Sequence, residues 1–216
     1  DLYDTWLAGI EAALARGDDR WELCRRTMTE LYYPGLAGAD PATLPVGIRV
    51  ALAQMDARNI TLEPEYYGEC DQKRFQERKP LIWMWQLFDK SPLGGNIHLG
   101  VRFRRVLAPY IFKLEVGDDV VVHRNVLLDD RGGIVLGNKV SISDYANVYS
   151  HTHSIVDQLD VTNAKTVICD GVRITYHATV LAGTHVGEQS MVGAMAVATR
   201  DVRPWHVNVG IPAKGV

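Results

Sequence analysis

Cysteine is scarce in this chain: Cys24, Cys70 and Cys169 are odd in number and widely scattered. That excludes a disulfide framework and points to reduced thiols in a cytoplasmic setting. Long hydrophobic runs are missing too. A membrane span needs about 18 apolar residues, and the nearest run, residues 80–88, is short and contains Gln86. No membrane span is expected, and no signal-peptide pattern is visible after Asp1. Nor does charge of one sign accumulate. With 23 Lys and Arg against 26 Asp and Glu the net charge is −3, which gives no reason to expect nucleic acid as a partner. What is present in quantity is apolar side chain, 47% of 216 residues, enough for one large domain or two small ones.

From Val116 onward those apolar residues recur every six positions. Val116, Val122 and Leu128 open a series that resets to Leu136, Ile142 and Val148 and resumes at Ile168, Ile174, Val180, Val186 and Val192. Four places after each stands a small or β-branched residue: Val120, Val126, Gly132, Val140, Ala146, Thr152, Val172, Ala178, Thr184, Ser190 and Ala196. A helix repeats at 3.6 and a strand at 2, so neither produces this spacing. A period of six fits one short strand and one corner, with three such sides closing each turn of a solenoid. The aliphatic residue then points inward and stacks on its counterpart one turn away, at the ~4.8 Å interstrand spacing. The small residue fits near a corner. Gly117, Asp118, Asp119, Gly137, Asn138, Asp144, Asp170, Gly171, Gly187 and Gly193 suit the corners themselves, because Gly, Asn and Asp tolerate tight turns.

The first 95 residues read differently. Tyr3, Trp6, Leu7, Ile10 and Leu14 share one helical face, and Gly17 and Asp18 mark a stop and a new N-cap. Trp21, Cys24, Met28 and Leu31 continue at helical spacing to Pro34, and a third helix is expected over 46–55. Four of the five tryptophans lie in this part, where an aromatic stripe serves core or subunit contact. Residues 80–88 are apolar enough to be buried, and 89–95 read as a linker. Residues 1–95 therefore form a helical region and 96–216 the solenoid, whose first turn begins either at Asn96-Ile-His-Leu-Gly100 or only at Leu114.

Two breaks interrupt the repeat. Arg131-Gly-Gly133 adds two residues at a corner, and residues 154–167 add fourteen. Loops thrown from a rigid scaffold often carry function, and immediately before this one stands Tyr149-Ser-His-Thr-His153.

Three stretches now carry a resemblance: Asn125-Val-Leu-Leu-Asp-Asp130; Ile142-Ser-Asp-Tyr-Ala-Asn-Val-Tyr-Ser-His-Thr-His153; and Val172 to Gly183 continuing through Val192-Gly-Ala194, Thr199-Arg-Asp-Val202 and Gly210-Ile-Pro-Ala-Lys214. Over about residues 114–216 the chain resembles the hexapeptide-repeat acyltransferases, especially the maltose, galactoside and xenobiotic O-acetyltransferases. The resemblance implies a mainly β fold, a left-handed parallel β-helix, here with an N-terminal α-helical region unlike the short segment of the maltose branch. It also implies homotrimers with active sites between neighbouring prisms, and acetyl-CoA as acyl donor with no metal.

Acyl transfer from a thioester to a hydroxyl needs a base, an oxyanion donor and aligned substrates. In the family the base is a His at the root of the protruding loop, and His153 matches it; His151, on the same strand face, is the rival. The family match assigns the oxyanion donor to the backbone amide of Tyr176, although the family's Trp-Ile-Gly-Ser reads Arg173-Ile-Thr-Tyr176 here. Arg173 either contacts an anionic group of acyl donor or acceptor, or is a solvated face residue. Asn125 matches an acceptor-binding Asn and equally suits a corner. Asp129 and Asp130 orient His153 or an acceptor hydroxyl, or simply turn a corner. The resemblance sets Ala182, Gly183 and Ala194 beside the pantetheine arm of coenzyme A, and Thr199, Arg200 and Lys214 near its phosphates. The expected activity is acetyl transfer from CoA to a saccharide hydroxyl by direct attack in a ternary complex. Two other classes compete. A γ-carbonic-anhydrase-like metal site would draw on His151, His153, His177 and His185, but His177 and His185 lack that family's His-x4-His spacing. A non-catalytic solenoid would bind a partner instead.

Overall fold

The computed structural model describes residues 1–62, 65, 71–112, 115–157 and 160–216. Cys70, Leu114 and positions 158–159 of the expected loop lie outside the described residues. Asp1–Ile111 form one compact unit and Phe112–Val216 a second.

The first unit contains the described helices α1 (Leu2–Arg16), α2 (Arg20–Tyr32), α3 (Val46–Ala53), α4 (Gln72–Lys90) and α5 (Ile97–Ile111). α1 ends where the sequence predicts, at Gly17 with φ 77°, and its amide returns to Ala13 and Leu14 carbonyls. α2 is capped by Asp19, one residue beyond the expected Asp18; its carboxylate accepts from the amides of Trp21 and Glu22. The apolar run 80–88 is the second half of α4, buried at Leu81, Met84, Trp85, Leu87 and Phe88. Residues 97–111 correct the expected boundary at 95. They are helical, because Leu99, Phe103, Leu107 and Ile111 recur every fourth residue and all are buried. Of the four tryptophans of this unit, Trp85 is buried in the core and Trp6, Trp21 and Trp83 are half-buried. Trp6 stacks on Phe103 at 5.7 Å between centroids and Phe103 on Phe88 at 4.0 Å. The guanidinium of Arg104 lies over Trp85 and pairs with Asp89 in a buried ion pair.

The second unit carries sixteen described strands. They are β1 (Glu115–Val116), β2 (Val121–Val122), β3 (Leu127–Asp129), β4 (Ile134–Leu136), β5 (Ser141–Ile142), β6 (Asn147–Tyr149), β7 (His151–His153) and β8 (Val161–Asn163). There follow β9 (Thr166–Ile168), β10 (Arg173–Ile174), β11 (Thr179–Val180), β12 (His185–Val186), β13 (Met191–Val192), β14 (Val197–Ala198), β15 (Val207–Val209) and β16 (Lys214–Gly215). Excluding the β7–β8 pair, the strands fall in rotation into three sheets. One runs β1-β4-β9-β12 and another β3-β6-β11-β14. The third runs β2-β5-β10-β13-β15, closed by antiparallel β16. The other ladders within the three sheets are parallel, and their register pairs the expected aliphatics: Leu136 with Ile168 and Val186, Ile142 with Ile174 and Val192, Leu128 with Val148 and Val180. Ile142, Val148, Ile168, Ile174, Val180, Val186 and Val192 are fully buried. Val116, opening the series, remains 45% exposed.

Three details differ from expectation. Thr152, assigned an inward position, is exposed on β7; Thr166, fully buried two places before Ile168 and paired with Ile134, fills that place. The left-handed backbone falls three residues after every aliphatic of the series except Leu128 and Val148, where the two insertions begin, at Asp119, Asn125, Lys139, Tyr145, Gly171, His177, Gly183, Gln189 and Met195. Most of these carry a Cβ, so stacking holds them at a cost of about 1–2 kcal/mol each. Gly137 serves closeness instead, since a Cβ there would lie 2.7 Å from the Asp170 amide nitrogen.

Ile174→Ala removes a fully buried rung and is expected to cost about 2–5 kcal/mol in a denaturant titration, whereas Thr152→Ala should cost under about 0.5 kcal/mol; equal costs would mean that the rung is not a packed core. The thiols give a second expectation. Burial, then Asp56, pushes the Cys24 thiol up to about 12, and burial, then Asp170 and Glu188, raises that of Cys169. At neutral pH both should alkylate slowly by peptide mass mapping; rapid labelling of Cys169 would mark it as a reactive thiolate.

Candidate functional site

The two interruptions of the repeat, well separated in sequence, meet at one corner of the column. The corner between β3 and β4 holds Arg131-Gly-Gly133. The corner one turn on, between β6 and β9, throws out the antiparallel pair β7–β8, with His151 opposite Asn163 and His153 opposite Val161. The excursion thus begins at His151, earlier than the expected 154, and both histidines lie on its first strand. Ser150 ties the turns together. Its hydroxyl donates to the Asp129 carbonyl and accepts from the Gly132 amide at 2.9 Å, while its carbonyl accepts from Ala164 at 2.8 Å. Gly132 has no room for a side chain here, because a Cβ would stand 2.0 Å from that carbonyl. On the returning side Thr166 donates its hydroxyl to the Tyr149 carbonyl at 2.6 Å and accepts from the Gly183 amide at 3.0 Å. The hairpin root, the Arg131 corner and Gly183 are therefore hydrogen-bonded neighbours.

Three titratable side chains converge on this root. His151 Nδ1 lies 2.8 Å from Asp129 Oδ2, and His151 Nε2 lies 3.1 Å from His153 Nε2. The two rings stand 4.9 Å apart and nearly perpendicular. Arg131 grips the same carboxylate, Nε to Oδ1 at 3.1 Å and Nη2 to Oδ2 at 2.9 Å. Asp129 and Arg131 side chains are each 13% exposed, His151 6%, whereas His153 is half-buried. Shielding of this kind strengthens charge contacts relative to bulk water. The set can hold an imidazole in one orientation and one tautomer beside solvent-accessible space.

The remaining predicted residues divide by edge. Ala182 and Gly183 continue the histidine edge, between β11 and β12, with Gly183 at φ 78°. Thr199 and exposed Arg200 follow one turn later, between β14 and Val202, which bridges to Val186. Arg200 and Lys214 line a cleft of about 520 Å³ together with Arg203 and His206, two residues the sequence reading did not single out. Asn125, Tyr176 and Ala194 stack along another corner, at the other ends of β3, β11 and β14. There the amides of Tyr145, His177 and Met195 donate to the carbonyls of Arg124, Asp144 and Tyr176. Tyr176 is 50% exposed. Its ring meets His177 at 4.3 Å, and His177 lies flat on Tyr145 at 4.9 Å. Arg173 is exposed on β10. Arg131 was legible only as part of an insertion; its grip on Asp129 needed coordinates. Among the described residues no group of three or more His, Cys, Asp or Glu is placed to hold a metal ion, and no helix is long and apolar enough to cross a membrane.

No protein-family model matches the chain. Known proteins do. The serine acetyltransferase of Mycobacterium tuberculosis is 25% identical over 134 residues, 61% of this chain and 54% of its own. The galactoside O-acetyltransferase of Escherichia coli is 26% identical over 124 residues, 56% and 53%. The chain thus spans about half the length of the curated relatives it matches. Among solved structures, a maltose O-acetyltransferase from Clostridium difficile 630 superposes with a TM-score of 0.57 at 20% identity, over 69% of this chain and 89% of that one. A galactoside acetyltransferase in complex with coenzyme A reaches 0.51 at 18%, over 68% and 82%. Its helices, its three sheets of short parallel strands and these likenesses make the chain similar to the hexapeptide-repeat acetyltransferases.

Proposed function

We propose that this protein is an acetyl-CoA-dependent O-acetyltransferase, built on a left-handed parallel β-helix, that acetylates a saccharide hydroxyl. One observation carries the reading: at the root of the only described excursion from the column, an imidazole, His153, stands half-exposed and is backed by His151 and Asp129. Relatives that transfer acetyl groups to galactosides and to serine support the reaction class.

His153 is the general base. It takes the acceptor's hydroxyl proton as the oxygen attacks the thioester carbonyl, and returns a proton to the departing CoA sulfur, so no acyl-enzyme forms. The Tyr176 backbone amide is the proposed oxyanion donor. Tyr176 lies at the other end of β11 from Gly183, so a site that uses both edges takes His153 from one copy and Tyr176 from another, which favours a homotrimer with sites between prisms. Gly183 and Ala194 are exposed and Ala182 half-buried, and their lack of bulk suits backbone contact with a pantetheine arm. The cleft of Arg200, Arg203, His206 and Lys214 suits the phosphates, with Thr199 beside it. Asn125 and the flat Tyr145–His177 stack suit the polar rim and apolar face of a sugar ring. Arg173, exposed on β10 three residues before Tyr176, reaches the acceptor or an anionic acyl group.

A thiol-release assay with acetyl-CoA, mixed sugars and a separate arm of L-serine tests the assignment. Release with sugars supports it; release with L-serine alone overturns the acceptor, and release with neither overturns the activity. His153→Ala should lower kcat by about 10²–10⁴-fold while CoA binding by calorimetry stays within about twofold; unchanged turnover removes His153 from the role. Arg200→Ala should raise KM for acetyl-CoA about fivefold, the ~1 kcal/mol of an exposed ion pair, and leave 3′-dephospho-acetyl-CoA nearly unaffected. Equal shifts for both donors would mean that Arg200 does not read that phosphate.

A further inference from the structure

Resting on the reading of His153 as base, we infer that His151 is a positioning residue which, held by the Arg131-clamped Asp129, fixes the tautomer of His153 so that Nδ1, not Nε2, receives the acceptor's proton. The contacts themselves give the direction. Arg131 fixes both carboxylate oxygens of Asp129, and its backbone amide adds a third contact at 3.4 Å. The carboxylate can only accept, and although the His151 ring is not turned into hydrogen-bond geometry toward it, the approach of Nδ1 to Oδ2 at 2.8 Å favours the proton on Nδ1. A neutral imidazole with its proton on Nδ1 presents Nε2 as an acceptor. The atom 3.1 Å from that Nε2 is His153 Nε2, which must therefore donate. His153 then takes up its second proton on Nδ1.

The step balances within the chain and its substrates. The acceptor O–H bond breaks and its proton joins His153 Nδ1, while the oxygen's electron pair forms the new bond to the thioester carbon. The resulting imidazolium keeps its Nε2–H on His151, whose own Nδ1 lies beside Asp129, so the positive charge is matched along a shielded line of three side chains. When the C–S bond breaks, the CoA sulfur takes the Nδ1 proton and the starting tautomer returns. The two sequence insertions are both needed: the hairpin supplies the histidines, and the Arg131 corner holds the carboxylate against them. His151 is thus no rival base, since its nitrogens face Asp129 and His153 rather than a substrate.

Nitrogen-15 NMR of the full chain, with labelled histidine and assignment by His151→Gln and His153→Gln, reads the tautomer without any activity. Wild type is expected to show His153 protonated on Nε2 and bare on Nδ1, and His151→Gln to lose that preference. In steady-state kinetics His151→Gln and Asp129→Asn should each lower kcat about 10–100-fold, as loss of an orienting partner does, with KM for acetyl-CoA unchanged. A wild-type His153 protonated on Nδ1, or a His151→Gln enzyme with wild-type kcat, overturns the inference. If wild type transfers no acetyl group at all, the proposed function fails, and the tautomer spectrum still decides the pairing by itself; should His151→Gln misfold, the wild-type spectrum and Asp129→Asn decide it.

Discussion

The second unit depends on one constraint, that every turn must present the same inward residue at the same height as the turn before. Parallel register aligns Ile142 on Ile174 and Ile174 on Val192, and a buried aliphatic rung makes its contacts only if its neighbours keep step. A solenoid of this kind tolerates almost nothing between rungs except at its corners. Extra residues must leave there, and they must leave without disturbing the ladders on either side.

This constraint makes the corner beside Ser150 chemically distinctive. The two-residue and the long insertion are spaced in sequence so that they fall one turn apart on the same edge, where Ser150, Ala164, Thr166 and Gly183 seal the break with hydrogen bonds. The same sealing withdraws Asp129 and His151 from water while leaving His153 at the rim. Preorganisation of this sort is what general-base catalysis needs, because an imidazole already held in orientation loses little freedom when the substrate arrives. The cationic cleft around Arg200 and Lys214 lies further along, near the C-terminal strands, so histidine edge, small-residue corners and cation-rich end follow one another along the column.

Much of this was legible in the residues. The six-residue period identified the rungs from Val122 to Val192, and the loop root drew attention to His151 and His153 before any coordinates. Arg200 and Lys214 were singled out by likeness to a family and do share a cleft. The start of the column was not legible: Leu99, Phe103, Leu107 and Ile111 form a clear helical stripe, yet Asn96-Ile-His-Leu-Gly100 also looks like half a repeat, and short apolar runs are ambiguous between helix and strand. The corners misled in another way. Positive φ does fall at Asp119 and Gly171, as suits Asp and Gly, but Tyr145, His177 and Met195 hold it as well, because the column on both sides overrides local preference.

The sequence by itself determined the period, the inward residues and the points where the repeat breaks, since each follows from burial recurring along the chain. Only the tertiary structure decided which breaks meet, that Arg131 belongs to Asp129, and that His151 stands between Asp129 and His153. Those are contacts between turns, and their partners are chosen by stacking register rather than by any spacing a single strand can display.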